Sequence, residues 1–217
     1  YAGSSRYEKG HRFAFFPSAG LAWVASNEDF LRDVNWIDRL KLHAQTGLTG
    51  QFDVFGTPYQ YRSNYSYNGD MWYGPISDQP SWFGTNRWIS YKTTINRLAN
   101  HNLSWPKVFQ TDLGIDFDFL SLFSFKVNAY YKKIYDSIVN ISSIIPGVYG
   151  LNNISLMDNY TAQSLRGMDV TFGYSQTFGD FRVGASLSAT MYKSIYEKMT
   201  DDNWLYEYQK KTGTPVD

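Results

Sequence analysis

Asp112, Asp116 and Asp118 follow one another at even spacing. On an extended backbone, where side chains alternate between faces, even spacing sets all three carboxylates on one side. Paired carboxylates are the equipment of a glycoside hydrolase, one handing over a proton while the other attacks or activates water. Here the residues between them, Leu113, Ile115 and Phe117, are apolar, so the acids are the polar half of a two-faced strand. Neighbouring polar-face cations such as Lys126 or Arg182 suffice to satisfy them, and catalysis is not expected. His11, His43 and His101 lack the i, i+4 spacing of a helical zinc motif. Cysteine is absent, which removes thiolate metal sites, disulfides and cysteine nucleophiles together. With no phosphate-cradling glycine loop and no nucleophile elbow, the sequence predicts neither enzyme nor cofactor nor metal. What remains is recognition by rings. Tyr59, Tyr61, Trp72, Tyr73, Trp82 and Trp88 crowd the stretch 54–100, punctuated by Gly56, Pro58, Gly69, Pro75 and Pro80. Such rings stack on sugars or grip apolar peptide side chains; the plainer alternative is that they pack the loop against itself.

Composition narrows the setting. The 217 residues carry 20 basic and 20 acidic side chains, so no net field recruits polyanions, and no basic stripe marks a nucleic-acid groove. Aromatic residues make up 18%, far above the needs of an average soluble core. No apolar run approaches the roughly 18 residues of a membrane helix. The mean hydropathy of -0.41 still suits a membrane β-barrel, whose strands alternate lipid-facing apolar with lumen-facing polar residues.

That alternation is what positions the candidate residues. Phe181, Val183, Ala185, Leu187, Ala189 and Met191 are apolar, with Arg182, Gly184, Ser186, Ser188 and Thr190 between them. Met168, Val170, Phe172 and Tyr174 alternate with Asp169, Thr171, Gly173 and Ser175, and Phe178-Gly179-Asp180 is short enough to join the two runs as a hairpin. The same figure runs from Asp112 to Phe119 and from Phe123 to Tyr131, joined near 120–122. It recurs from Leu40 to Leu48 and, more loosely, from Ala19 to Trp23. About six antiparallel strands with membrane-spanning segments of about ten residues are predicted. Asp112, Asp116, Asp118, Lys126, Asp169 and Arg182, with His43, are expected on the lumen side. The short links near 120–122 and 178–180 and the medium one at 25–38 then fall at one, periplasmic end, and 4–11, 54–100, 140–157 and 198–217 at the other, external end.

The residues also resemble a known family. Tyr1-Ala-Gly-Ser-Ser-Arg-Tyr7 with Phe15-Phe-Pro-Ser18, Arg39-Leu-Lys-Leu-His-Ala44 with Thr49-Gly50, and Asn102-Leu-Ser-Trp105 leading to Asp112-Leu-Gly-Ile-Asp-Phe117 are similar to motifs of the SusC/RagA branch of TonB-dependent transporters. Tyr130-Tyr131 with Asp136-Ser-Ile138 and Leu165-Arg-Gly-Met-Asp-Val170 follow in the family's order; Ala2 and Pro106 stand where the family usually has acids. The resemblance implies a plugged barrel of about 22 strands in a Bacteroidetes outer membrane, importing glycans or peptides with a SusD-like surface lipoprotein as lid. On this reading residues 1–217 are all part of one receptor barrel domain. The plug, the TonB-contacting N-terminal region and the C-terminal strands would lie outside them. Six such strands alone would leave sheet edges that lipid cannot satisfy. The competing expectation is a soluble all-β carbohydrate-binding module using the loop aromatics as its platform.

Overall fold

A strand whose every second residue is apolar is stable where its two faces meet different surroundings. The computed structural model describes residues 1–32, 34–51, 58–70, 82–83, 88–89, 91–150, 154–201 and 206–216. Its strands, in chain order, are β1 (Ala2–Gly3), β2 (Phe13–Ala14), β3 (Ser18–Val24), β4 (Ile37–Gly50), β5 (Asn64–Asp70), β6 (Trp82–Phe83), β7 (Trp88–Ile89), β8 (Tyr91–Arg97), β9 (Lys107–Phe119), β10 (Phe123–Asn140), β11 (Met157–Phe178) and β12 (Phe181–Lys198). Between β3 and β4 the chain makes one 3₁₀ turn and the short helix α1 (Asp29–Arg32).

The dominant element is a six-stranded antiparallel meander in the order β12-β11-β10-β9-β4-β3. Its register sorts side chains into cross-strand rows. Leu40, Phe117, Phe125, Phe172 and Leu187 form one row; Trp23, Leu42, Ile115, Val127, Val170 and Ala189 the next; Leu21, Ala44, Leu113, Ala129, Met168 and Met191 the one after. These apolar rows lie open at the surface: Leu187 is 74% and Leu113 56% exposed. A soluble module would have to cover such a face. Toward the short-turn end it gains a chain of rings, with Trp36, Phe117, Phe119, Phe123, Phe172 and Tyr174 linked at centroid distances of 5.0–6.0 Å.

The strands run well past the expected span of about ten residues; β11 reaches from Met157 to Phe178. The upper parts of β10 and β11 were illegible as strand because polar residues fall on both faces there, as in Lys132-Lys133 and Gln163-Ser164, and the alternation is broken.

Both tight links fall at one end, as the spacing predicted, but their chemistry differs. Gly179 supplies the positive φ of the β11–β12 turn, whereas Leu120 and Ser121 adopt φ of 55° and 54° without glycine. This left-handed pair costs about 1–2 kcal/mol per residue, and the surroundings hold it. Asp38 accepts from the Ser121 amide and, at 2.8 Å, from its hydroxyl, while the Leu120 amide donates to the Trp36 carbonyl at 2.9 Å. Asp38 is free to do this because the β4–β9 register slips by one residue between Ile37 and Arg39. Asp38→Ala is expected to destabilise the sheet by ~1–2 kcal/mol. Urea titration of the folded protein measures it, and an unchanged midpoint would refute the latch.

At the opposite end sits a small core. Leu103 (1% exposed), Trp105, Tyr7, Tyr61 and Ile138 are buried together, flanked by Ala2, Ala14, Phe16 and Met157. Segments distant in sequence meet here: the β1–β2 hairpin, the loop before β5, the approach to β9 and the top of β10. Trp105 packs on Tyr7 at 5.1 Å and Phe16 at 5.8 Å, and its indole N–H donates to the Arg12 carbonyl at 3.1 Å.

Candidate functional site

The meander carries Asp112, Asp116, Asp118, Lys126, Asp169 and Arg182 on its other face. Lys41, Asp116, Lys126, Thr171 and Ser188 form one polar row, and His43, Gly114, Asn128, Asp169 and Thr190 its neighbour. His43 lies across Gly114, where a Cβ would fall onto its ring and onto the Asn128 amide oxygen. The glycine is therefore what lets two polar side chains meet over the β9 backbone.

The partners of the acids differ from those expected. Asp116 pairs with Arg39 at 3.5 Å and Lys41 at 3.9 Å, both from β4, rather than with Lys126 or Arg182. Arg182 donates to the Ser175 hydroxyl at 3.1 Å. Register accounts for this: Lys41 is the direct cross-strand partner of Asp116, and Arg39, two residues along on the same face, lies opposite Asp118. Asp112 accepts from the Gln45 and Gln110 side-chain amides at 3.1 and 3.0 Å. Such acids are held in place by cations and amides, an arrangement that orients a wet polar wall. Near the short turns, Ser124, Gly173, Gly184 and Ser186 are small enough to leave a shallow concavity between Asp118 and Arg182.

The aromatic loop divides. Tyr61 is 6% exposed and belongs to the small core, so it follows the packing alternative. Tyr59 is 44% exposed and adopts a φ of 61°, its carbonyl and that of Arg62 accepting from the Arg97 guanidinium at 3.4 and 3.1 Å. The Arg62 guanidinium lies over both rings, 5.6 Å from Tyr59 and 5.4 Å from Tyr61. Sequence reasoning missed Arg62, although the alternation Tyr59-Gln60-Tyr61-Arg62 carries a cation beside the rings. Trp82 and Trp88 lie on the β6–β7 ladder, paired with Ile89 and Phe83; Trp72 and Tyr73 fall outside the described residues.

A second loop-end device follows β12. The segment 211–216 turns back along the strand, with Tyr196 donating to Thr214 at 3.0 Å and Gly213 to Tyr196 at 2.7 Å. Asp201 pins it, accepting from the amides of Lys211 at 2.7 Å and Thr212 at 3.0 Å. Desolvation pushes the Asp201 carboxyl up, but the hydrogen bonds from Thr212 and from the two amides outweigh it and hold the group below its ordinary 3.8. A depressed carboxyl stabilises the fold fully above its ordinary value and loses that contribution as pH falls through the lower, folded-state value. Amide exchange at Lys211 and Thr212, corrected for intrinsic rates, is therefore expected to accelerate below about pH 4. Asp201→Asn should remove that pH dependence, and protection that ignored pH would refute it.

No family model matches the chain. Among curated proteins, the TonB-dependent receptor SusC of Bacteroides thetaiotaomicron is 32% identical over 163 residues, covering 73% of this chain and 15% of the relative. The TonB-dependent receptor P3 of Formosa agariphila is 33% identical over 114 residues, 52% of this chain and 10% of the relative. Among solved structures, the RagAB peptide importer in its closed-closed state superposes with a TM-score of 0.69 at 22% identity, over 91% of this chain and 20% of that one. Its open-open state gives 0.70 at 21%, over 90% and 19%. The chain thus spans under a quarter of the length of these relatives. An exposed apolar face, a polar face opposite and short turns gathered at one end agree with that match in sequence and in fold, and the chain belongs to the SusC/RagA-type TonB-dependent receptors of the outer membrane, as a stretch of their β-barrel wall.

Proposed function

We propose that this segment is working wall of a TonB-dependent importer of oligosaccharides or peptides, with the apolar rows facing lipid and the Asp116–Lys126 side facing the lumen. The observation that carries the reading is the register itself. It places every row from Leu40–Leu187 to Leu21–Met191 on one open face and the polar rows of Lys41–Ser188 and His43–Thr190 on the other. Transport by such a wall requires no covalent chemistry, so the polar acids orient water and cargo rather than react. The name of the RagAB importer supports peptide as one class of cargo; the SusC relative supports a shared receptor mechanism. A SusD-like lipoprotein as lid and TonB as energy source follow from the same kinship, with the 54–100 loop at the lid-facing end.

Within that loop Tyr59, half exposed and flanked by the Arg62 guanidinium, is proposed to touch cargo or lid, and Trp72, Tyr73, Trp82 and Trp88 to extend the same surface. Replacing Tyr59, Trp72, Tyr73, Trp82 and Trp88 together by alanine in the complete receptor, with the buried Tyr61 kept, tests this. Uptake of defined oligosaccharides and peptides should be lost while the barrel still folds and reaches the outer membrane. Wild-type uptake by that variant would remove the loop from the function, and wild-type growth on every glycan and peptide tested without the gene would remove the transport reading itself.

A further inference from the structure

Four neighbouring strands end their apolar stretch in the same way on the lipid-proposed face. On β12 the run Phe181, Val183, Ala185, Leu187, Ala189, Met191 is followed by Lys193, and on β11 Tyr174, Phe172, Val170, Met168 is followed by Arg166. On β10 the run from Phe123 to Tyr131 is followed by Lys133, and on β9 the run from Phe119 to Phe109 by Lys107. Phe181 to Met191 rises about 34 Å along the strand at ~3.4 Å per residue. Tilted by about 40°, that matches a lipid-facing band about 25 Å tall. The cations therefore stand at its upper margin, on the long-loop side.

Two of the four have acidic partners. Lys107 pairs with Asp136 at 3.2 Å and Lys133 with Glu197 at 2.5 Å. Arg166 and Lys193 form no ion pair among the described residues, are both exposed, and are direct cross-strand partners. Like charges placed opposite each other on a sheet repel, and nearby carboxylates are already engaged. An arrangement like this is relieved by an anion lying between the two groups, and a guanidinium beside an ammonium suits a phosphate, with several oxygens to share. Tyr131 completes the row as the partner of Arg166 on β10, its ring 37% exposed.

We infer that Arg166 and Lys193 form a binding site for the phosphate of a lipid headgroup, in the leaflet on the long-loop side. The inference rests on the membrane-wall reading above, which supplies the lipid. It goes further than a general interfacial anchor, because it requires these two residues together and leaves Lys107 and Lys133 out.

The test is native mass spectrometry of the complete receptor carrying this segment, stripped of lipid in detergent and titrated with phosphatidic acid, phosphatidylcholine or inorganic phosphate. Wild type should hold phosphatidic acid at least about tenfold more tightly than R166Q/K193Q, and K107Q should bind like wild type. Phosphatidylcholine should bind all three weakly and alike, and inorganic phosphate should not displace phosphatidic acid. R166Q/K193Q removes a repulsion, so a folded barrel is expected; heat-modifiable migration verifies it, and the single variants R166Q and K193Q serve if it does not fold. Equal phosphatidic acid binding by the folded wild type and the folded double or single variants overturns the site and leaves the transporter reading standing. Displacement by inorganic phosphate at equal concentration overturns the lipid assignment. A receptor recovered only in the soluble fraction overturns the membrane reading underneath.

Discussion

Leu187→Arg is expected to cost about 2–4 kcal/mol of barrel stability, because it sets a guanidinium against hydrocarbon near the middle of the apolar band. Leu187 is 74% exposed, and in a water-soluble protein the same substitution at such a position would fall within about 0.5 kcal/mol of neutral. The two environments give different answers for one residue. Thr190→Arg, a few positions along the same strand, is the matched control. It lies on the polar face directly opposite Asp169, where a cation gains a partner, and it should stay within about 1 kcal/mol of wild type. Urea-induced unfolding from lipid vesicles, with heat-modifiable migration as the marker of folded barrel, reads both. A neutral Leu187→Arg would overturn the assignment of the faces.

Trp105→Ala should have an effect of similar size but in another place. The side chain is 4% exposed, packs tilted on Tyr7 and edge-on against Phe16, and holds the Arg12 carbonyl through its indole N–H. Removing it combines loss of a large buried aromatic, ~3–5 kcal/mol, with loss of one of the two donors to the Arg12 carbonyl, the Ser4 amide at 2.9 Å remaining. The small loop-end core has few other large side chains to take up the strain. The expected result is release of the N-terminal hairpin: rapid proteolytic cleavage within 1–17, with the membrane-embedded meander still protected. Trp105→Phe should recover most of the packing and little of the hydrogen bond, giving intermediate protection. Cleavage at the wild-type rate in Trp105→Ala would show that the hairpin is held by other contacts.

The sheet was legible where one physical rule governed each residue. From Phe181 to Met191 a side chain meets either an apolar or a polar environment, so alternation alone predicted strand and face, and Gly179 marked its own turn. The Leu120–Ser121 turn was located by its shortness, yet its left-handed backbone was invisible because the stabilising group, Asp38, is remote in sequence. The one-residue slip that frees Asp38 was equally hidden, and so was the pairing of Asp116 with Arg39 and Lys41, which depends on β4 meeting β9 across a long excursion of chain. A bulge changes pairing without changing composition, and no local pattern announces it. The loop-end core was hidden for a related reason. Tyr7, Tyr61, Leu103, Trp105 and Ile138 share no period and come from separate segments, so Tyr61 looked like any other ring of the loop until its neighbours were in place. Asp112, Asp116, Asp118, Lys126, Asp169 and Arg182 share one face of the sheet, because alternation along each strand carries that information directly.

The meander joins its strands at very unequal distances along the chain. β9 meets β10 and β11 meets β12 across tight turns, but β4 reaches β9 only after the excursion from Gly50 to Lys107. Closing that loop rather than a turn of a few residues costs about 2 kcal/mol more in chain entropy. Assembly should therefore proceed from the two hairpins, with the β4–β9 seam zipped last. The small core that draws together Tyr61 and Trp105, near the two ends of the excursion, shortens the search, so the outward-facing cluster would act as a folding clasp for the membrane part below it.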